Sequence, residues 1–286
     1  MEKAFDSESY IDGYSLQRRD ASEIIEEFAD EISSMYGKCI DIGCGPGHVT
    51  KELILPKLPA ESVVVGADIS DSMIESTKKR YRDEKRLSFF KLNIETDELP
   101  IKEIEKYDNA LSFYCLHWCQ DMRLTLKNIY QLLRPGGRSL VMFLSYNSGF
   151  DAFIKFQTNP RYKSYMEDVL KYVPPFQSCS NPRASLKKIL EEVGFEVLHC
   201  SNREKTYVFT NMEILQKHVI AINPFLNRIP ENLRDEFNTA ITKEVAEHKI
   251  IFESHKNKST GYSVLDRYEV LIAYFRKPLN SFSKMI

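Results

Sequence analysis

The chain has 286 residues, 43% hydrophobic and 28% charged, a composition that fits a soluble globular protein and excludes one that is mainly disordered. Thirty-nine Lys and Arg against 41 Asp and Glu leave a formal charge of -2. No global field therefore recruits nucleic acid or an acidic membrane, and a small anionic ligand has to be caught locally. Aromatic residues are abundant, with 17 Phe and 15 Tyr beside a single Trp. Cys39, Cys44, Cys115, Cys119, Cys179 and Cys200 show no CxxC pairing and read as reduced, buried small hydrophobes. The first ten residues, MEKAFDSESY, hold no apolar leader core, and runs such as Leu140 to Leu144 are far too short to span a bilayer. A cytoplasmic protein is expected.

In chain order, residues 21–35 carry Ile24, Ile25, Phe28 and Ile32 on one helical stripe. Residues 38–42 read as a short buried strand cut by Gly43, Gly45 and Gly47, and residues 49–57 as the helix that follows. A β-branched strand ends at Asp68, a helix over 71–81 is opened by Ser70 or Asp71, and residues 87–92 form a third strand. Residues 107–113, 122–133 and 138–144 continue as strand, helix and strand. This rhythm demands a parallel sheet covered on both faces, because each crossover is right-handed and buries one stripe.

Beyond residue 146 the rhythm breaks. Residues 150–176 read as aromatic and helical, 184–193 as a helix closed by Gly194, 195–200 as a strand, 211–255 as largely helical, and 268–275 as a last strand. One domain over residues 1–286 is expected. It divides into a lid and first helix (1–37), a core (38–145) and two helical insertions (146–180 and 211–260).

Three alternating glycines directly after the first strand allow positive φ and let a ligand lie against the main chain. Asp68, at the end of the next strand, is placed for a ribose diol, and Asn93 for an adenine edge. Dinucleotide binders use GxGxxG; here the spacing is GxGxG with Asp41 two residues before the first glycine. A carboxylate there repels phosphate and welcomes an ammonium. The stretch resembles the first motif of the class I S-adenosylmethionine-dependent methyltransferases, supported by the Leu133-Arg134-Pro135-Gly136-Gly137 turn. The resemblance implies an α/β, Rossmann-like fold: a seven-stranded, mostly parallel sheet with helices on both faces and helical lid insertions. It implies S-adenosylmethionine as cofactor, S-adenosylhomocysteine as product and no metal. Carried over, Asp41, Gly43, Gly45 and Gly47 would line the methionine moiety, Asp68 the ribose, Ile69 and Met73 the adenine surroundings, and Asn93 and Ile94 its amino edge. Phe113 joins this cofactor set.

Two further segments, residues 14–21 (YSLQRRDA) and 113–118 (FYCLHW), flank this core. Together they resemble the insect juvenile hormone acid methyltransferases and, more distantly, the plant salicylate-type carboxyl methyltransferases. In that resemblance Gln17 and Trp118 hold the acceptor carboxylate through neutral N–H donors, with His117 either donating as well or packing beside the indole. A carboxylate is already ionised at neutral pH, so no general base is needed. Tyr14, Tyr114, Phe150, Phe153, Ile220 and Phe225 are the candidate pocket wall, with Tyr10 beside them, and Arg18, Arg19 and Asp20 read as a solvated helix start or, for one of them, as a contact to the cofactor's carboxylate.

The reading is a carboxyl O-methyltransferase for a sesquiterpenoid acid such as juvenile hormone acid or farnesoic acid. Its partner is that apolar acid, with no nucleic acid and no membrane span, and a homodimer is left open. The rivals are a methyltransferase for a small polar acid such as trans-aconitate and a non-catalytic binding protein on the same scaffold.

Overall fold

The computed structural model describes residues 14–253 and 262–279; Tyr10 and the rest of residues 1–13 lie outside them. Two helices, α1 (Ser15–Glu27) and α2 (Ala29–Ser33), precede β1 (Lys38–Ile42). The stripe expected over 21–35 thus begins six residues earlier and breaks at Phe28, which places Gln17 in the first turn of α1. The segment after the glycines is a π-type turn, Val49–Ile54, in place of the longer helix expected there. Then come β2 (Val63–Asp68), α3 (Asp71–Arg80), β3 (Leu87–Lys91), β4 (Tyr107–Phe113), α4 (Met122–Leu132) and β5 (Leu133–Asn147). Ser70 caps α3 by accepting from the Met73 amide.

The second half comprises α5 (Ser148–Phe156), α6 (Pro182–Val193), β6 (Glu196–Phe209), α7 (Met212–Ala221), α8 (Glu231–Glu247), β7 (Ile250–Glu253) and β8 (Tyr262–Arg276). Three expectations are corrected here. The segment 150–176 is α-helical only to Phe156 and continues as single 3₁₀ turns at Lys163–Tyr165 and Val169–Tyr172. The segment 211–255 is two helices followed by a strand. Both β6 and β8 run well beyond the apolar cores that announced them, because each continues a ladder that its partner imposes: Glu196 to Phe209 pairs with Arg276 to Val264.

The strands join in one sheet of order β3-β2-β1-β4-β5-β8-β6, with β7 pairing off this path against β8. The main path has the seven strands expected, and β7 is an eighth. β1 to β5 are mutually parallel. β8 runs antiparallel to both β5 and β6, so it is reversed within an otherwise co-directional set. Alternation along the strands sends Cys39, Leu111, Met142 and Ile272 into one core and Ile40, Ala110, Val141 and Leu271 into the other. The first core is roofed by α1, α5, α7 and α8, the second by α4 and α6. Ligands of open α/β sheets lie beyond the carboxyl ends of the strands, where this roof sits.

No helix among the described residues is long and apolar enough to cross a membrane. All six cysteines are free; Cys39, Cys44 and Cys119 are buried, whereas Cys115, Cys179 and Cys200 are only half-buried, short of the full burial expected.

Candidate active site

β1 delivers the chain into the glycine turn. Gly43, Gly45 and Gly47 have φ of +74°, +52° and +78°, in the left-handed region that side chains rarely adopt. Their surroundings differ. A Cβ on Gly43 would lie 2.2 Å from Cys115 Sγ, and one on Gly47 would lie 2.6 Å from Thr77 Cγ2, whereas one on Gly45 would meet nothing within 4 Å. Gly45 is therefore the bare cradle that a ligand can enter, and Gly47 packs against α3 without lining a cavity. Asp68 locks the turn: its Oδ2 accepts from the Gly45 amide at 2.9 Å and its Oδ1 from the Ser70 amide at 2.9 Å.

Asp41 is buried beneath the turn, and the Thr50 hydroxyl donates to it at 2.5 Å. Burial pushes its carboxyl up to about 7, against the opposing effect of the Thr50 hydrogen bond. A carboxyl held near neutrality in this way is set to ionise when a cation arrives beside it.

A cavity of about 440 Å³ opens at the sheet edge. Gly43, Gly45, Asp68, Ile69, Met73, Asn93 and Ile94 line one part of it, and Gln17, Tyr114, His117 and Trp118 another. Phe150, Phe153, Tyr172, Leu215, Val219 and Ile222 supply an apolar wall. A second, small cavity of about 40 Å³ touches Tyr14, Asp41 and Phe113. Gln17, Gly43, Gly45 and Tyr114 line both spaces, so Gln17 stands at the seam between the glycine turn and the apolar chamber. Its Oε1 is buried with no hydrogen-bond partner among the described residues.

Rings support the seam. His117 and Trp118 lie 4.9 Å apart between centroids, and Phe150 stands edge-on to the indole at 5.8 Å. Tyr114 holds φ +56°, uncommon for a residue with a side chain. Its hydroxyl donates to Asp20 Oδ2 at 2.6 Å, and Tyr268 donates to the same oxygen at 2.7 Å. Arg19 donates to Asp20 Oδ1 at 2.8 Å, and Lys205 approaches it at 3.2 Å. Asp20 is fully buried, which corrects the expectation of a solvated helix start: four donors, from α1, from the residue that follows β4, and from β6 and β8, converge on it.

Three expected pocket residues stand elsewhere, Tyr14 lining only the small second cavity. Ile220 does not line the cavity, where its neighbours Val219 and Ile222 do. Phe225 is buried among Phe153 and Tyr172 at centroid distances of 6.1 and 5.1 Å and props the wall from behind. Sequence reading missed Leu215 as a wall residue, and it missed Asn147, Lys249 and Asp266, polar groups at the cavity that no motif announces. Among the described residues no group of His, Cys, Asp or Glu is arranged to hold a metal ion.

The sequence model of a family described as a methyltransferase domain matches residues 40–139. The juvenile hormone acid O-methyltransferase of Drosophila melanogaster is 32% identical over 94% of this chain and 91% of its own length. That of Bombyx mori is also 32% identical, over 94% and 96%. A malonyl-[acyl-carrier protein] O-methyltransferase of Acetivibrio thermocellus is 26% identical over 82% and 79%. Among solved structures, the YcgJ protein of Bacillus subtilis superposes with a TM-score of 0.55 at 13% identity, covering 91% of this chain and 99% of that one. A candidate methyltransferase of Bacillus halodurans C-125 gives a TM-score of 0.53 at 17% identity, covering 88% and 98%. These last two share the fold.

A reversed β8 inside a parallel sheet, a glycine turn over a buried acid and a carboxylate at the end of β2 define an S-adenosylmethionine-dependent methyltransferase of Rossmann-like fold. Identity over nearly the whole of both chains then narrows the class. The chain belongs to the juvenile hormone acid O-methyltransferase family.

Proposed function

We propose that the protein methylates the carboxylate of a sesquiterpenoid acid, juvenile hormone acid or farnesoic acid, using S-adenosylmethionine. The observation that carries this reading is the position of Gln17, a buried amide at the seam between the glycine turn and an apolar chamber. The residues present fit the cofactor. Gly45 leaves room for a ligand against the main chain, Asp41 offers an ionisable carboxyl to its ammonium, and Asp68 lines the cavity as an acceptor for a diol. When bound, the cofactor supplies an electrophilic methyl group.

The protein's part is to bind, orient and keep water out. A carboxylic acid is ionised at neutral pH, so the site needs no base. Gln17, turning its amide N–H inward, and Trp118 through its indole N–H would hold the carboxylate without the full ion pair that a guanidinium imposes. A neutral grip stabilises the ground state less and leaves more of the binding energy for the transition state. Phe150, Phe153, Leu215, Val219 and Ile222 take the hydrocarbon tail, at roughly 0.8 kcal/mol per buried CH₂. Opposite charges in a dry site favour a transfer that ends in neutral products.

Farnesoic acid incubated with protein and cofactor is expected to give its methyl ester. Absence of that ester, together with turnover of a small polar acid such as trans-aconitate, would overturn the substrate reading. We place the enzyme in the cytoplasm, in line with its six free cysteines, and fractionation that recovers it with organelles would refute this. Nucleic acid is not among the proposed partners, given the net charge of -2. A homodimer is proposed through β7, whose Ile250, Ile251 and Phe252 are exposed, and sedimentation equilibrium showing monomer alone would end it.

A further inference from the structure

An otherwise apolar part of the cavity wall contains a buried ion pair. The side chains of Lys249 and Asp266 are 2% and 3% exposed and bonded to each other, and both line the cavity, as does Asn147. Charges in an apolar chamber cost stability unless their hydrogen-bonding capacity is met. The ammonium meets all of its capacity: its three N–H groups serve Asp266 Oδ1, Asn147 Oδ1 at 3.0 Å and Ser148 Oγ at 3.2 Å.

The carboxylate does not. Asp266 Oδ1 accepts from Lys249 alone and Oδ2 from Asn147 Nδ2 alone, at 3.1 Å. A carboxylate can accept about four hydrogen bonds, so about two acceptor positions on Asp266 and one N–H of Asn147 have no partner among the described residues. The surplus is therefore mainly of acceptors. Asn147 lies six residues past Val141, which is level with the end of β1 through Ser112. At 3.3 Å per residue that is a rise of up to about 20 Å along β5 from the level at which the glycine turn begins.

We infer that Asp266 and Asn147, held by Lys249, form a second polar subsite that selects acids bearing a hydroxyl group toward the end of the tail away from the carboxylate. This rests on the reading of the cavity as the acid's binding site. The hydroxyl donates to Asp266 and accepts from the remaining Asn147 N–H, so both needs are met at once. A plain hydrocarbon end would cover those groups and leave them unpaired, and sites built for a hydroxyl discriminate against its absence. An epoxide, which only accepts, satisfies Asn147 but sets its oxygen against the carboxylate.

The test is calorimetric titration of the S-adenosylhomocysteine-loaded protein with three isoprenoid acids of equal length, ending in hydrocarbon, hydroxyl or epoxide, with methyl ester formation followed in parallel. The hydroxy acid is expected to bind about tenfold or more tighter than the hydrocarbon acid, with the epoxide between them. The Lys249→Met/Asp266→Leu double variant should lose the preference. In Asp266→Asn, which keeps the shape and trades an acceptor for a donor, preference should move from hydroxyl to epoxide. Equal affinities in the wild type, an epoxide that binds best, or a hydroxyl preference that survives in a variant with normal S-adenosylhomocysteine affinity would overturn the inference. If the acids are bound and methylated alike, this subsite falls and the proposed function stands. If none is bound or methylated, both fall.

Discussion

Gln17 and Trp118 divide the labour with the cofactor side of the cavity, and that division is measurable. Gln17→Ala or Trp118→Phe is expected to lower kcat/KM between about tenfold and a hundredfold, as for loss of one hydrogen bond to a charged group, while S-adenosylhomocysteine affinity stays within about twofold. Equal losses in both would make them structural. Asp41 carries a pH signature. Its carboxyl is raised by burial to about 7, so the unfolded chain loses this proton first, and stability falls as pH rises from about 4 to about 7. Cofactor binding pulls the other way, because an ammonium favours the carboxylate. At pH 6.5, calorimetry of S-adenosylhomocysteine in two buffers of different ionisation enthalpy should show proton release, absent in Asp41→Asn. Residues fixed by backbone geometry were legible in the sequence: the Asp41 to Gly47 pattern states its own φ requirement, and Asp68 follows from strand length. Residues on helices were not. On α7 one position is a rotation of about 100°, so Val219 faces the cavity and Ile220, equally apolar, does not.

At the level of elements, α1 is tied to the sheet through Asp20. Gln17 and Asp20 are three residues apart on one helix face, and the donors on Asp20 come from the residue after β4 and from β6 and β8 as well as α1. Asp20→Ala strands Tyr114, Tyr268, Arg19 and Lys205 together and should cost about 3–5 kcal/mol in urea unfolding. Tyr268→Phe removes one donor and should cost about 1–3 kcal/mol. Turnover should fall further than stability explains in both, because Gln17 then rides on a loosened helix. An acid that follows two arginines at an expected helix start looks solvated in sequence, and only the convergence of two strands and the turn after a third reveals otherwise. The same reason hid most of β6. Residues 201–206 (SNREKT) carry no apolar signal; pairing with β8 and ion pairs such as Arg203 with Glu27 and Lys205 with Glu23 make them a strand.

For the whole molecule, the order of strands was legible only as a rhythm. The βαβ alternation announced the parallel half, while the return of a strand near the C-terminus announced that the sheet was completed late without saying where. The structure answers with β8 between β5 and β6. A chain ending at residue 261 would leave Leu140, Met142 and Leu144 on an open edge and β6 without its partner, and it is expected to aggregate on expression, as sedimentation of the lysate would show. The same placement orders the assembly of the sheet. Among the described residues β8 alone is bonded on both sides to strands that precede it in the chain, β5 and β6, so β5 keeps an unpaired edge and β6 has no place in the sheet until the last strand slots between them.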